Sequence, residues 1–289
     1  MNWVLGSSCW VLTQYPIPST QNPVPSIQHP VTKIHFYKYQ ATGNDFVLVD
    51  NREGKLSFST SQISTLCDRR FGIGADGLIL LEKDTQLDFK MIYYNSDGSQ
   101  SFCGNGCRAI IHLAHRLGVI GNSATFSAHD GRHTAQILPN GLIRFSLSDV
   151  KEIENRSEDF YINTGTDHHV RFVRDLKACP VVEEGRKIRY SDLYKPRGTN
   201  ANFVEVHPNN DVSFRIYERG VEDETYSSGS GATACALVVA KKFGHRSPIK
   251  LSTRGGQLEV EFETRQNGTF SNIYLTGPVQ LVFETDSEV

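Results

Sequence analysis

Apolar and polar residues alternate along much of the chain after residue 32, and a period of two residues is typical of half-buried β-strands. The segments that show this alternation best are I-H-F-Y-K-Y (34–39), D-F-K-M-I-Y-Y (88–94), I-R-F-S-L (143–147), V-S-F-R-I-Y (212–217) and L-E-V-E-F (258–262). Helix-compatible stretches are fewer. The pattern therefore predicts a protein built mainly from short strands.

Two longer segments are predicted to be helices, and each follows a glycine-rich turn. They read F-C-G-N-G-C-R-A-I-I-H-L-A-H-R-L-G (102–118) and S-S-G-S-G-A-T-A-C-A-L-V-V-A-K-K-F-G (227–244). Each has Gly-x-Gly at its start, basic residues in its last turn and a closing glycine, which are the usual signals of helix ends. Another helix is predicted near 60–70, and S-D-L-Y (191–194) is a weaker helical start.

The two helical segments belong to an internal repeat. T-G-N-D-F-V-L-V (42–49) and T-N-A-N-F-V-E-V (199–206) each lead from a turn into alternating apolar residues. Two strand-rich halves predict an α+β protein with two pseudo-symmetric domains, each a mixed sheet or barrel wrapped on a central helix. We expect an N-terminal domain at 33–150, a C-terminal domain at 151–275, and a last segment, 276–289, that returns to the first domain.

The first 32 residues differ from the rest of the chain. They contain no Lys, Arg, Asp or Glu, and they hold five of the eleven prolines. The apolar run W-V-L-G-S-S-C-W-V-L is too short to span a membrane and no basic residue precedes it, so a secretory signal is not expected. We expect residues 1–32 to be a disordered or extended tail.

Charge and cysteine usage exclude several classes of function. The chain has 30 Lys and Arg against 32 Asp and Glu, which argues against nucleic-acid binding through a basic surface. It contains no run of 18 apolar residues, so no membrane-spanning helix is expected. It also lacks a Walker loop, a dinucleotide fingerprint and zinc-type spacing, so we expect neither cofactor nor metal. The scattered cysteines are expected to be reduced thiols of a cytoplasmic protein; they stand at 9, 67, 103, 107, 179 and 235.

The two glycine-rich turns are the best candidates for chemistry. A helix N-terminus exposes unpaired N–H groups and favours an anion such as a carboxylate. The same field favours a thiolate, and cysteines at such positions have pKa values of roughly 3.5–7.5. Cys103 is therefore a candidate reactive thiolate, the alternative being a small buried residue that packs beside glycines. Ser228 occupies the matching position of the second turn. If the two turns face each other, one group on each side of a carbon could invert a stereocentre.

The sequence resembles the diaminopimelate epimerase family, amino-acid racemases that work without pyridoxal phosphate, over about 33–280. The matching motifs are A-T-G-N-D-F-V (41–47), F-G-I-G-A-D-G (71–77), N-S-D-G-S-x-S-F-C-G-N-G (95–106), Y-E-R-G-V-E-D-E-T (217–225) and S-G-S-G (228–231). The resemblance implies epimerisation of LL-diaminopimelate to meso-diaminopimelate, which supplies lysine and peptidoglycan precursors. It also implies a cytoplasmic homodimer that binds a small amino acid and neither nucleic acid nor membrane.

The resemblance assigns roles to individual residues. In that family two cysteines, one from each domain, act as base and acid on the α-carbon, and Cys103 matches the first. The helix-end N–H groups that hold the reacting carboxylate would come from Gly104, Asn105, Gly229 and Ser230. Other substrate-binding positions match Asn44, Asn95, Asn200, Glu218 and Arg219. Among these, Arg219 would bind the distal carboxylate and Glu218 the ammonium group; a surface ion pair is the alternative for both.

Three positions depart from the family pattern. Thr166 stands where the family has Asn, Gly77 where it often has Gln, and Ser228 where it has the second catalytic cysteine. A serine hydroxyl is a poor acid and a poorer base, and losing one positioned acid or base typically costs about 10²–10⁴ in rate. Several interpretations of Ser228 are therefore open. One is that the chain is an inactivated variant of an ordinary epimerase, and another is that it is a natural member of the family. A third is that it is a one-base or non-catalytic homologue that binds an amino acid, and a fourth is that it is a racemase of another amino acid.

Overall fold

Strands make up most of the fold. The structure, a computed structural model, describes residues 33–208, 211–266 and 268–288, so the predicted tail lies outside the described residues. The strands are β1 Lys33–Ala41, β2 Asn44–Asp50, β3 Gly77–Glu82, β4 Phe89–Asn95, β5 Ser123–Ala128, β6 Gly131–Ile137, β7 Ile143–Leu147, β8 Ile153–Arg156, β9 Asp159–Asn163, β10 Asp167–Phe172, β11 Asn200–Val206, β12 Val212–Glu218, β13 Asp223–Thr225, β14 Ile249–Thr253, β15 Gly256–Thr264, β16 Phe270–Gly277 and β17 Gln280–Glu288. The helices are α1 Thr60–Cys67, α2 Gly104–Arg116, α3 Val181–Arg189 and α4 Gly229–Phe243, with a 3₁₀ turn at Asp192–Tyr194.

The strand pairings repeat in the same order in the two halves. From β1 to β7, consecutive strands pair antiparallel, parallel, antiparallel, parallel, antiparallel and antiparallel. The series β9, β10, β11, β12, β14, β15, β16 follows the same order of directions. In each series one long helix, α2 or α4, joins the fourth strand to the fifth. The internal repeat in the sequence therefore corresponds to a repeated topology, and the predicted α+β class is confirmed.

Two further pairings connect the series. β16 pairs antiparallel with β7, so the sheet continues from one half into the other. β17 returns along the chain to pair antiparallel with β1, with Lys33 opposite Glu288 and Gln40 opposite Gln280. This described part of the chain belongs to one compact unit, 33–289.

The helices α2 and α4 lie inside the curved sheet. Apolar residues such as Ile110 and Leu113 of α2, and Leu237 and Val238 of α4, are fully buried in one core cluster. α2 packs on strands of the first series and α4 on strands of the second. α4 is apolar on most of its sides, which suits such a position, whereas the last turn of α2 exposes His115 and Arg116. Among the described residues, no helix is both long and apolar enough to cross a membrane.

The remaining helical predictions had mixed outcomes. α1 forms as predicted and begins with a capping box between Ser59 and Gln62. The start at 191–194 forms only a 3₁₀ turn, since Pro196 cannot continue a helix. α3 was not predicted, because its sequence is polar and contains Gly185. That glycine is required by packing: a β-carbon on it would lie 2.3 Å from Cβ of Tyr217.

Candidate active site

Cys103 and Ser228 occupy equivalent positions, one at the start of each central helix. Each is the N-cap residue of its helix and has an extended backbone. The Cys103 sulfur accepts a hydrogen bond from the N–H of Gly106 at 3.4 Å, and the Ser228 hydroxyl accepts one from Gly231 at 3.2 Å. Both side chains therefore cap a helix in the same way.

The two helix ends contact each other through glycines. A β-carbon on Gly229 would lie 3.4 Å from Cα of Gly104, and one on Gly104 would lie 3.6 Å from Cα of Gly229. The same β-carbon on Gly229 would lie 2.9 Å from Cδ2 of Leu275. The absence of side chains at these positions thus brings the two N-termini together. Cys103 and Ser228, which precede these glycines, lie beside this contact.

Amide groups surround the Cys103 side. Asn105 donates to Oδ1 of Asn44 at 3.2 Å and to the hydroxyl of Ser227 at 3.2 Å, so it reaches from the first turn to the second. The Cys103 thiol lies 3.8 Å from the same Asn44 oxygen. Asn44 in turn donates to the carboxylate of Asp76 at 2.6 Å. Three of the predicted site residues, Asn44, Cys103 and Asn105, are therefore brought together.

The pKa of Cys103 is shifted in the opposite direction to the one expected from the helix end alone. Desolvation raises the pKa of the thiol to about 11, because protein atoms surround the sulfur although the residue keeps some solvent exposure. The backbone N–H groups of Gly106 and Asn105 lower this pKa, as does the charge of Arg108, and the charge of Glu218 raises it. Burial therefore outweighs the helix end in this structure. A positive charge brought into the site would favour the thiolate of Cys103.

A chain of hydroxyl groups leads to Ser228. Its Oγ lies 3.3 Å from Oγ of Ser230, which accepts a hydrogen bond from Thr166 at 3.2 Å. Thr166 lies 2.9 Å from Nε2 of His168, a residue with no solvent exposure. Burial lowers the pKa of His168 to about 3, so its imidazole is neutral. Ser230 and Thr166 are thus joined to Ser228 in one network.

Glu218 lies near both helix ends. Desolvation raises the pKa of its carboxyl group to about 7. Hydrogen bonding by Ser228 lowers that pKa, the charge of Asp76 raises it, and Thr225 lowers it. Since Glu218 also affects the pKa of Cys103, its carboxyl group is electrostatically coupled to both sides of the site.

Arg219 and Asn200 are joined to each other at the Ser228 side. The backbone N–H of Arg219 donates to Oδ1 of Asn200 at 2.9 Å, and Asn200 donates to the carbonyl of Asp167 at 2.9 Å. The Arg219 guanidinium lies 3.5 Å from the carboxylate of Asp167, a long contact, and is partly exposed. The guanidinium therefore has a weak partner within the chain.

Within the part of the chain that the structure describes, Asn95 makes its side-chain hydrogen bonds to residues outside the predicted site. Its side-chain amide donates to the carbonyl and the hydroxyl of Ser99 and to the hydroxyl of Ser101, at 3.0–3.1 Å. These bonds shape the loop that leads from β4 to Cys103. Its position is therefore at the entrance to the first turn, and its side chain bonds within that loop.

Comparison with known proteins identifies the family. The family described as Diaminopimelate epimerase matches residues 36–151 and 160–282. A diaminopimelate epimerase of Flavobacterium psychrophilum is 50% identical over 252 residues, covering 86% of this chain and 98% of that protein. One from Aquifex aeolicus is 36% identical over 273 residues, covering 87% and 96%. The chain belongs to the diaminopimelate epimerase family.

Solved structures of more distant proteins share the fold of this family member. A PhzF-family phenazine biosynthesis protein from Bacillus anthracis has a TM-score of 0.72 at 14% identity, covering 89% of this chain and 100% of that one. A hydroxyproline epimerase from Agrobacterium vitis with bound trans-4-OH-L-proline has a TM-score of 0.65 at 13% identity, covering 89% and 93%. At such identities the likeness shows the fold.

Sequence reasoning missed several residues around the site of this family member. Arg108 is fully buried and donates to the hydroxyl of Thr42 at 2.9 Å, to Oδ1 of Asn105 at 3.0 Å and to the carbonyl of Pro278 at 3.0 Å. Thr42 lies 2.5 Å from the hydroxyl of Ser227, so Arg108 is linked to the second turn. The signal was present in the family motifs, since Thr42 and Arg108 stand within or directly beside them.

Proposed function

We propose that this chain epimerises LL-diaminopimelate to meso-diaminopimelate without a cofactor, with Cys103 as the base and Ser228 on the opposite side. The observation that carries the proposal is the contact between Gly104 and Gly229, which places two equivalent helix caps beside each other. Inversion of an α-carbon needs one group on each of its faces. The paired caps supply such an arrangement.

The paired helix ends suit the carboxylate next to the reacting carbon. The first N–H groups of a helix have no partner within the helix, and two helix dipoles point their positive ends at the same place. A carboxylate held there withdraws charge from the carbanion that forms on the α-carbon. In this proposal the N–H groups belong to Gly104, Asn105, Gly229 and Ser230.

The remaining polar side chains suit the rest of the substrate. Arg219 binds the distal carboxylate in a bidentate manner, and its long contact with Asp167 is weak enough to exchange. Glu218 binds an ammonium group. Amide contacts come from Asn44, Asn95 and Asn200. A substrate ammonium beside Glu218 also cancels the charge that raises the pKa of Cys103, so binding promotes the thiolate.

We also propose the setting of this activity. The chain acts in the cytoplasm as a homodimer, and its two domains span 33–150 and 151–275, with 276–289 completing the first. The pairing of β17 with β1 supports the last point. Movement of one domain relative to the other would close the site on the substrate, as is common for enzymes that exclude water.

The test is an exchange experiment with LL-diaminopimelate in deuterated water. NMR measures deuterium at the α-carbon, and chiral chromatography measures the meso product. The proposal predicts both, and loss of both in Cys103→Ala. Deuterium at the α-carbon without formation of the meso product would indicate a one-base homologue. This is the second candidate function, and the serine at position 228 favours it. Binding without exchange would indicate a non-catalytic homologue, and no binding at all would contradict the substrate.

A further inference from the structure

The hydrogen bonds of His168, behind Ser228, have a fixed direction. Asn202 donates to the backbone carbonyl of His169 at 2.9 Å, which identifies the atom there as the amide nitrogen. The same nitrogen lies 3.1 Å from Nδ1 of His168. An amide N–H can bond only to an unprotonated ring nitrogen, so Nδ1 of His168 is the acceptor and Nε2 carries the proton.

The direction continues through the hydroxyl groups. His168 donates from Nε2 to Thr166 at 2.9 Å, and Thr166 then donates to Ser230 at 3.2 Å. The hydroxyl oxygens of Ser230 and Ser228 lie 3.3 Å apart, and either hydroxyl can be the donor. Ser228 also accepts the N–H of Gly231 at 3.2 Å. When Ser230 is the donor, both acceptor positions of the Ser228 oxygen are used, and the Ser228 proton is directed away from the network.

We propose that Thr166 and Ser230 are positioning residues that hold the Ser228 hydroxyl as a proton donor facing the reacting carbon. This inference rests on the proposed function. An asparagine at 166, the family residue, would present an amide to this chain of hydroxyls. The threonine hydroxyl can accept one hydrogen bond and donate the next, as each member of a directed chain of hydroxyls must.

The proton step balances as follows. The Cys103 thiolate takes the α-proton and becomes a thiol, and the electron pair stays on the carbon. Ser228 gives its proton to the opposite face of that carbon, and the C–H bond forms as the O–H bond breaks. The Ser228 oxygen, held by the N–H of Gly231 and the hydroxyl of Ser230, takes a proton from solvent after the product leaves, and the Cys103 thiol releases its proton to solvent.

The test compares Thr166→Val, which keeps the side-chain shape, with Thr166→Ser, which restores the hydroxyl. We expect Thr166→Val to lower epimerisation about tenfold or more, while Cys103-dependent α-deuterium exchange changes by less than about threefold. Thr166→Ser should restore the ratio of the epimerisation rate to the exchange rate to that of the parent protein. Thr164→Val is the matched control, because its hydroxyl donates to the backbone carbonyl of Ser230 and lies outside the hydroxyl chain.

A second background separates positioning from structural damage. In Ser228→Cys, a thiol acts without an oriented hydroxyl, so adding Thr166→Val should change epimerisation by less than about threefold. The inference would be overturned if Thr166→Val lowered epimerisation equally in both backgrounds. It would also be overturned if Thr166→Val lowered exchange and epimerisation in parallel, or lowered neither. Nitrogen NMR of the His168 ring tests the direction without any activity: an Nδ1–H tautomer would overturn it. Absence of all exchange in the parent protein would instead contradict the proposed function.

Discussion

Gly229 leaves no room for a side chain where it meets Gly104 of the other central helix. A β-carbon on Gly229 would be 3.4 Å from Cα of Gly104 and 2.9 Å from Cδ2 of Leu275. The second distance is shorter than real β-carbon contacts, so the neighbours would have to move. Because the two candidate acid/base residues precede these glycines, any such movement changes their separation.

The first prediction concerns this contact. Gly229→Ala should separate the helix ends, lower the free energy of unfolding by about 1–3 kcal/mol and reduce epimerisation more than substrate binding. Chemical denaturation and steady-state kinetics measure these effects. Gly121→Ala is the control, since a β-carbon there meets nothing within 4 Å. A Gly229→Ala protein with unchanged kinetics would show that the close approach of the helices is not needed.

The second prediction concerns the hydroxyl of Ser228. Ser228→Cys should raise the epimerisation of LL-diaminopimelate by about 10²-fold or more, because a thiol is a far better acid and base than a hydroxyl. The measurement is the initial rate of meso-diaminopimelate formation. Full epimerase activity with serine in place, or no gain from cysteine, would mean that another residue delivers the second proton.

The third prediction concerns recognition of the substrate. Arg219→Ala should abolish measurable binding of diaminopimelate in calorimetry and leave the thermal unfolding midpoint nearly unchanged, because the guanidinium makes long contacts, with Asp167 at 3.5 Å and with the Gly198 carbonyl at 3.4 Å. Arg246→Ala, at an exposed position after α4, is the control and should bind as the parent does. Unchanged affinity in Arg219→Ala would count against diaminopimelate as the substrate.

The fourth prediction concerns Arg108, a buried cation with hydrogen bonds to three oxygens. Arg108→Met leaves Thr42, Asn105 and the Pro278 carbonyl without this donor, so unfolding free energy should fall by about 1–3 kcal/mol. The pKa of Cys103 should rise, because the charge of Arg108 lowers it, and alkylation by iodoacetamide at fixed pH should slow. Arg116 lies on the same helix as Arg108 and forms an exposed ion pair with Glu284. Arg116→Met should therefore change neither the unfolding free energy nor the alkylation rate of Cys103.

The fifth prediction concerns pH. Burial raises the pKa of Glu218 from 4.5 to about 7, so the folded state holds this proton over a range in which the unfolded state has lost it. Stability should therefore fall as pH rises from about 4.5 to about 7. Glu218→Gln should remove this fall in denaturant titrations. Glu222→Gln is a control of opposite sign. The pKa of Glu222 is lowered despite desolvation, mainly by hydrogen bonds from Gly220 and Tyr190, so its contribution is lost as pH falls.

The sequence predicted the elements and residues whose cause is local. Glycine turns and helix-end signals were sufficient for α2 and α4, and alternation was sufficient for strands such as β4 and β12. The motifs also indicated Cys103 and Asn105, because a reactive group beside a helix end is visible in a few consecutive residues. Local signals therefore accounted for the fold class and the centre of the candidate site.

What could not be predicted depends on residues distant in sequence. From sequence, an arginine inside a helix is ordinarily predicted to lie on the surface. Arg108 is buried because oxygens of Thr42 and Pro278 accept its hydrogen bonds, and only the folded chain brings these oxygens to it. The pKa of Cys103 was expected to be lowered, since the helix end is local. Desolvation, which sums over the whole surroundings of the sulfur, raises it instead.

The pairings of β16 and β17 have a consequence for how this protein is made. β1 and β7 lie in the first half of the chain, yet each receives one of its two neighbouring strands from the last part of the sequence. A ribosome that has released only the first half therefore presents two open sheet edges, and open edges are templates for pairing with other chains. Protection of these edges comes with the final strands, so the interval before their release is when the nascent chain is most exposed to misassembly.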